Sequence, residues 1–254
     1  MQTASKIEML KTKDSTYLKT ALVLPCIFLV FTLMTILSST NPTGMADGVS
    51  IIQSNIFNLW GLILLPICIV VIISSDFQQE SRALGRQRAL ANNWSLKWIY
   101  LAKTLKFWLL VLLSQLVLVV IVLISNLLTT KIVGNFPLLF CTSLVIWIGS
   151  LPLIVINMYL LSYLNAIMVS ILNLFISIGS TFLGITLAPW FWIDPWVYAV
   201  RTTTLLRSNP NGTILTTGNT LVHDTSFIYL ILLSVTFWVI INYLYAIIID
   251  RKVA

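Results

Sequence analysis

The run "FWLLVLLSQLVLVVIVLISNLL", residues 107–128, indicates most clearly what kind of fold this chain adopts. It contains no Asp, Glu, Lys or Arg and approaches the roughly 20 apolar residues that a helix needs to cross a bilayer. Apolar residues make up 58% of the 254 residues, charged residues only 9%, and the mean hydropathy is +0.97. Such a composition is far more apolar than a water-soluble core requires, so we expect a membrane protein.

Five further runs have the same character. The sequence therefore predicts an all-α polytopic membrane protein with six transmembrane helices in a single transmembrane domain, 1–254. The predicted spans are about 20–38, 55–75, 107–128, 137–159, 166–188 and 227–249. Each avoids charged residues, because a charge at the centre of a spanning helix costs about 2.5–3.5 kcal/mol. Pro25, Pro66 and Pro152 are expected to kink their spans.

The basic residues predict the orientation, since Lys and Arg stay preferentially in the cytoplasm. With both termini cytoplasmic, twelve of the fifteen basic residues lie inside, and only Lys131, Arg201 and Arg207 lie outside. This topology places an inner loop at 75–106 and an outer loop at 189–226. Topology and anionic inner-leaflet lipid account for the net charge of +7, so no nucleic-acid partner is expected.

The most polar stretch, "DFQQESRALGRQRALANN" at 76–93, belongs to the predicted inner loop. Few Gly or Pro residues interrupt it, so most of it should be helical. Phe77, Leu84 and Leu90 provide too little apolar surface to lie in lipid but enough to contact a protein. The stretch is therefore either a docking surface for a cytoplasmic partner or a solvated connector.

The second half of this loop carries an apolar stripe. Its large apolar residues recur every three or four positions, which places them on one helical face. They are Trp94, Trp98, Leu101, Leu105 and Trp108. Because Lys97, Lys103 and Lys106 lie off that face, the pattern predicts an interfacial helix leading into the third span.

The outer loop begins with aromatic residues. Asp194 followed by Pro195 is typical of a helix N-cap and first helical residue, so a short helix is expected from Pro195 to about Leu206. Trp190, Trp192, Trp196 and Tyr198 would belong to an aromatic belt at the headgroup level. Alternatively, the loop receives an amphipathic substrate through Trp190, Trp192, Asp194 and Trp196.

Small and polar residues line one face of the fifth predicted span. They are Ser170, Asn173, Ser177, Thr181 and Gly184. Such residues let helices approach closely and form hydrogen bonds across the contact, which predicts a packing seam rather than a substrate path. Spacing alone leaves open whether the seam faces another helix of this chain or a second copy.

The sequence also lacks several kinds of chemistry. No glycine is followed by Lys, so the chain has no phosphate-binding loop of a P-loop ATPase. Its one histidine, His223, lies in the outer loop, and Cys26, Cys68 and Cys141 fall within three different spans as packing residues. We expect no catalytic residue, no metal site and no bound cofactor. No ionisable residue lies within a predicted span, where a proton-coupled carrier would need one. Uphill transport would therefore need an external source of energy.

The whole chain resembles the ABC-2 type permease family. Three segments resemble the lantibiotic (bacteriocin) immunity permeases: "IEMLKTKDSTYLKTALVLP" at 7–25, "NIFNLWGLILLPICIVVIISSDFQQE" at 55–80 and "WSLKWIYLAKTLKFW" at 94–108. The resemblance implies that the loop after the second span carries a coupling helix that contacts a separate ATPase subunit. The Glu that opens this loop corresponds to Glu80, and the Lys that leads into the third span corresponds to Lys103.

The resemblance implies a transport subunit rather than an enzyme, located in the cytoplasmic membrane of a Gram-positive bacterium. An ATPase dimer would bind ATP and Mg²⁺, and a second copy or a paralogous permease would complete the exporter of a peptide or lipid-like substrate. The implied ATPase-coupling residues are Phe77, Glu80, Arg82, Leu84, Arg86 and Arg88. The alternatives are a secondary transporter or channel subunit, and a membrane protein that only sequesters a peptide.

Overall fold

The computed structural model describes residues 15–38, 45–46, 49–82, 96–131, 135–206, 209, 215 and 226–251. Within these ranges the secondary structure is almost entirely helical. The exception is a short antiparallel pair, in which strand β1 (Met45–Ala46) pairs with strand β2 (Val49–Ser50). The predicted class, an all-α membrane protein, is confirmed.

Ten α-helices form the described part of the chain. They are α1 (Thr16–Val23), α2 (Ile27–Ser38), α3 (Ile51–Leu59), α4 (Leu65–Arg82), α5 (Leu96–Thr129), α6 (Phe136–Gly149), α7 (Leu151–Leu160), α8 (Ala166–Phe182), α9 (Tyr198–Thr202) and α10 (Ser226–Arg251). Short 3₁₀ helices at Ile185–Leu187, Phe191–Ile193, Pro195–Val197 and Thr203–Leu206 surround α9.

Five helical stretches are long and apolar enough to cross a membrane. They are Thr16–Ser38, Ile51–Ser81, Trp98–Thr129, Phe136–Leu160 and Phe227–Leu244. The chain is thus a multi-pass membrane protein. At the fifth predicted span, 166–188, α8 has only 17 residues. At 1.5 Å per residue it is about 26 Å long, slightly less than the roughly 30 Å hydrocarbon core. Six spans and cytoplasmic termini stay predictions.

Helix α8 ends at Phe182, before the predicted limit of 188, because the backbone turns at Gly184. Gly184 has φ 72°, the left-handed conformation that glycine adopts without steric cost. Its N–H donates to the carbonyl of Thr181 at 3.1 Å and stops the helix.

Each of the three predicted proline kinks coincides with a helix irregularity. Pro25 lies in the 3₁₀ turn Leu24–Cys26 between α1 and α2, and Pro152 follows the break between α6 and α7. Pro66 follows a π-helical turn, Trp60–Leu64, between α3 and α4. Proline has no N–H and its ring clashes with the carbonyl four residues earlier, so the regular hydrogen-bond ladder fails there.

The helix irregularity before Pro66 leaves a backbone carbonyl through which the second predicted span bonds to α8. Because Pro66 cannot donate to the carbonyl of Leu62, that carbonyl needs another partner, and the Ser177 hydroxyl donates to it at 2.8 Å. At Gly61, the residue before Leu62, an added Cβ would lie 3.2 Å from the carbonyl carbon of Ala199 in α9. Gly61 therefore permits the backbones of two elements to approach closely.

Helix α5 lies at the centre of the bundle. The Ser114 hydroxyl donates to the carbonyl of Ala21 at 2.7 Å, and Thr32 and Ser125 share a hydrogen bond of 2.7 Å, so α1 and α2 run parallel to α5. Helix α4 runs antiparallel to α5. The largest side chains of the core, Trp60, Phe57 and Phe107 among them, are buried between these helices.

Candidate functional site

Four charged side chains meet where α4 and α5 lie side by side, and we call them the ion cluster: Asp76, Glu80, Lys103 and Lys106. The Lys106 ammonium lies 2.6 Å from Asp76 Oδ1. The Lys103 ammonium pairs with the Glu80 carboxylate and lies 3.4 Å from Asp76 Oδ2. Two positive and two negative charges therefore balance within the cluster.

Most of the ion cluster is buried. The side chains of Lys106, Asp76 and Lys103 are 1%, 5% and 7% exposed, whereas Glu80 is 24% exposed. Burying such charges is costly unless each has a partner of opposite sign, which the cluster provides. The Lys106 ammonium also lies 5.1 Å from the ring centroid of Tyr17, so α1 contacts the same cluster.

Residue spacing on two antiparallel helices builds the ion cluster. Asp76 and Glu80 are four residues apart and Lys103 and Lys106 are three apart, so each pair occupies one helical face. The sequence placed both lysines off an apolar stripe, and the family resemblance singled out Lys103, but neither predicted that the lysines are buried. The matching spacing of the two acids and the two lysines was the sequence signal that could have predicted their pairing.

The expected interfacial helix forms the beginning of α5 instead. Helix α5 runs from Leu96 to Thr129 without a break. Trp98 on the apolar stripe is 42% exposed, while Lys103 and Lys106 point into the protein. The lysines turn inward because Asp76 and Glu80 are on the neighbouring helix, a contact that the sequence pattern of α5 alone does not contain. Trp94 lies outside the described residues.

Of the predicted ATPase-coupling residues, the side chains of Phe77 and Glu80 are described. Glu80 is paired with Lys103, and the Lys103 ammonium lies 5.3 Å from the ring centroid of Phe77. Arg82 is the last residue of α4, and only its backbone is described. Leu84, Arg86 and Arg88 lie outside the described residues. Docking of an ATPase at this loop stays a prediction.

A second cluster of polar contacts involves the segment 185–206, which follows α8. Its last part is continuously helical from Pro195 to Leu206, as predicted. Asp194 caps this helix, since its Oδ1 accepts a hydrogen bond from the backbone N–H of Trp196 at 2.9 Å. The Ser180 hydroxyl donates to the other carboxylate oxygen of Asp194 and joins the cap to α8.

The aromatic residues of this segment do not form one belt. Trp190 and Trp192 are 48% and 46% exposed, in agreement with a position at the membrane surface. Tyr198, however, is completely buried and donates from its hydroxyl to the carbonyl of Trp192 at 2.6 Å. Burial, and then the charge of Asp194, raise the pKa of the Tyr198 phenol, so it remains a hydrogen-bond donor at physiological pH.

Trp196 also points into the protein, where it reaches two buried asparagines. The Trp196 indole N–H donates to Asn173 Oδ1 at 2.6 Å, and Asn173 Nδ2 donates to Asn157 Oδ1 at 2.7 Å. Both asparagines are fully buried. We call these three residues the amide node. It joins α7, α8 and the segment 185–206 by hydrogen bonds within the apolar interior.

The predicted seam of α8 thus has contacts within this chain. Asn173 belongs to the amide node and Ser177 bonds to Leu62, whereas Ser170 and Thr181 are only half-buried. Gly184 is exposed and has no atom near its added Cβ, so the turn explains it better than close packing does. Contact of the seam with a second copy stays a prediction.

Arg201 is a buried basic residue that the sequence placed in the outer loop. It is 6% exposed, and its Nη1 donates to the carbonyl of Thr186 at 3.0 Å. Its guanidinium also lies 4.9 Å from the ring centroid of Phe191. Nearby, the Thr203 hydroxyl donates to Asn58 Oδ1 at 2.9 Å and connects this segment to α3. Partners this distant in sequence could not be predicted from spacing.

No protein-family model, no curated protein and no solved structure matches this chain. Its chemistry must therefore be inferred from the ion cluster and the amide node. Both consist of ion pairs and hydrogen bonds between side chains of different elements, which hold those elements at fixed positions relative to one another.

Proposed function

We propose that this chain is the membrane-spanning permease subunit of an ATP-driven ABC exporter that removes a lantibiotic-like antimicrobial peptide from the bacterial cytoplasmic membrane. The observation that carries the proposal is the buried ion cluster, which links α4 and α5 beside the predicted docking loop. The resemblance of three segments to immunity permeases, and the multi-pass apolar fold, support it as well.

The ion cluster connects the two helices that flank the loop between α4 and α5, so a force on this loop would act on both helices together. A partner that pushes on the loop moves the ends of both helices. Separating those helices would leave Asp76 and Lys106 buried without their partners, at a cost of several kcal/mol. The two helices, with α1 held through Tyr17, therefore respond as one unit. ATP binding and hydrolysis on a partner ATPase dimer would supply the push.

The C-terminal end of α8 and the segment that follows it offer a surface for an amphipathic substrate. Phe182 is 88% exposed, and Ile193, Trp190 and Trp192 are between 46% and 57% exposed. A peptide or lipid-like molecule already dissolved in the outer leaflet would meet these side chains first. Asp194 and Trp196 are engaged within the chain, so we assign substrate contact to Trp190 and Trp192 before them.

The function is tested by deleting the gene and measuring growth against a panel of cell-envelope peptides. We expect increased sensitivity to at least one lantibiotic, restored by the wild-type chain only when its partner ATPase can hydrolyse ATP. The ATPase should also co-purify with the chain. Restoration with an inactive ATPase would instead indicate a protein that sequesters the peptide. Unchanged sensitivity to every peptide would reject the immunity function.

A charge exchange separates docking from internal pairing at Glu80. Glu80→Lys alone is ambiguous, because it breaks the pair with Lys103 and also reverses a partly exposed charge. The double variant Glu80→Lys/Lys103→Glu re-forms the Glu80–Lys103 pair with the charges exchanged and loses only the longer contact of Lys103 with Asp76, which keeps its pair with Lys106. We expect it to restore membrane abundance but not ATPase co-purification, because like charges at a protein interface cost several kcal/mol. Recovery of both would show that Glu80 acts only within the chain.

A further inference from the structure

Helix α3 and the residue before it bury several polar side chains within the apolar membrane domain. They are Ser50, Gln53, Ser54 and Asn58, each 4% exposed or less. Asn58 bonds to Thr203, as described above, and Gln53 Oε1 accepts a hydrogen bond from Asn126 Nδ2 of α5 at 2.9 Å. The two serines differ from these amides, because neither hydroxyl has a partner among the described residues.

Ser50 is the N-cap residue of α3, yet its hydroxyl does not cap the helix. The side chain of an N-cap serine normally accepts a hydrogen bond from a backbone N–H two or three residues later. Ser15 does so at the start of α1, where it accepts from the N–H of Leu18 at 3.2 Å. Ser50 is 3% exposed and makes no such bond. Its hydroxyl is therefore turned away from the N–H groups within its reach.

Ser54, one helical turn later, repeats this behaviour. Buried hydroxyls on helices often donate to the carbonyl four residues earlier, as Thr32, Thr129 and Ser234 do in this chain. Ser54 is 0% exposed and makes neither this bond nor another with the described residues. Among the buried serines and threonines of the described ranges, only Ser50 and Ser54 have hydroxyls without a partner.

A third unpartnered atom lies beside them on α5. The bond from Asn126 to Gln53 places the Asn126 side chain next to a residue that lies between the two serines in sequence. Asn126 is 1% exposed, and its Oδ1 accepts no hydrogen bond from the described residues. Three orphaned polar atoms within about one helical turn would destabilise the fold unless something small bonds to them.

We infer that Ser50, Ser54 and Asn126 form a binding site for internal water, which we call the water site. Water both donates and accepts, so it bonds to Asn126 Oδ1 and to a serine hydroxyl at once, and a buried water typically makes about three hydrogen bonds. The site carries no charge to hold an ion, and its burial leaves no room at the surface for a larger ligand. The water joins α3 to α5 beside the direct bond between Gln53 and Asn126.

The sign of a stability change tests the water site. If the Ser54 hydroxyl is dry and unpartnered, Ser54→Ala removes an orphaned polar group and should raise the midpoint of thermal unfolding in detergent. If water is bound, the variant loses a hydrogen bond, and we expect a midpoint lower by about 2–4 °C. Ser234→Ala is the matched control, because Ser234 is also 0% exposed and donates only to Leu230 of its own helix.

X-ray radiolysis detects the water itself, since irradiation converts bound water into hydroxyl radicals that oxidise the nearest side chains. In a variant with the three native cysteines replaced by Ala, Val122→Cys places a reactive thiol one turn before Asn126 on the same face of α5. Val70→Cys in α4 is the control, because both valines are 0% exposed. We expect several-fold faster oxidation of Val122→Cys, measured by mass spectrometry, and a slower rate when Ser54→Ala is added.

Both measurements use the full chain alone, so neither depends on an ATPase or on a peptide. An unchanged or higher midpoint for Ser54→Ala, or a decrease no larger than that of Ser234→Ala, would overturn the inference. Equal oxidation of Val122→Cys and Val70→Cys would also overturn it, since no water would then lie beside Asn126.

Discussion

Replacing Lys106 with Met should destabilise the protein by about 3–5 kcal/mol, the typical cost of removing one partner of a buried ion pair. The Asp76 carboxylate, 5% exposed, would lose an ammonium 2.6 Å away. It would keep only Lys103, which lies 3.4 Å from it and already pairs with Glu80. The ring contact between Lys106 and Tyr17 would also disappear. The midpoint of thermal unfolding in detergent, together with membrane abundance, measures the loss.

Two control variants make this result interpretable. Lys131→Met makes the same chemical change at an exposed residue and should leave the unfolding midpoint nearly unchanged. The double variant Lys106→Met/Asp76→Leu removes both charges, so most of the stability should return, because apolar replacements of a buried pair are often neutral or better. If the double variant is less stable than Lys106→Met alone, the cost does not come from an unpaired Asp76.

Replacing Asn173 with Leu should have the second largest effect, since it removes the centre of the amide node. The Trp196 indole N–H and the Asn157 side chain would each lose a hydrogen-bond partner in a buried position. An orphaned buried polar group costs about 1–3 kcal/mol. We expect lower thermal stability and faster hydrogen–deuterium exchange in the segment 185–206, while exchange near the ion cluster stays unchanged.

The double variant Asn157→Leu/Asn173→Leu tests the cause. It removes both asparagines, so Trp196 alone remains without its partner and the combined loss should be smaller than the sum of the two single losses. Additive losses, or exchange that accelerates equally throughout the chain, would contradict a specific link between the amide node and the segment 185–206.

Local sequence properties predicted much of the fold. Five of the six predicted spans coincide with long apolar helices, because partition into a bilayer depends on some twenty consecutive residues and hardly on tertiary contacts. The cap at Asp194 and the irregularities at Pro25, Pro66 and Pro152 were also predictable. A cap or a missing backbone N–H acts within one helical turn of the residue that causes it.

The direction in which polar side chains point could not be predicted in the same way. Lys103 and Lys106 were expected beside a lipid-facing stripe, and Tyr198 in an aromatic belt, yet all three are buried. Each is stabilised by a group on another element, and in a membrane protein burial against protein and exposure to lipid both favour apolar sequence. Hydrophobic periodicity therefore distinguishes inside from outside poorly, and only the partner determines which face turns inward.

The amino-acid sequence alone predicts a multi-pass helical membrane protein, the positions of its long helices, and the places where proline and capping residues interrupt or begin them. Only contacts between distant segments explain why Leu62 bonds to Ser177 and why Asn58 bonds to Thr203. The physical reason is the range of the forces involved. Helix formation and membrane partition add up along consecutive residues, whereas a buried polar group needs one particular partner that can lie 145 residues away.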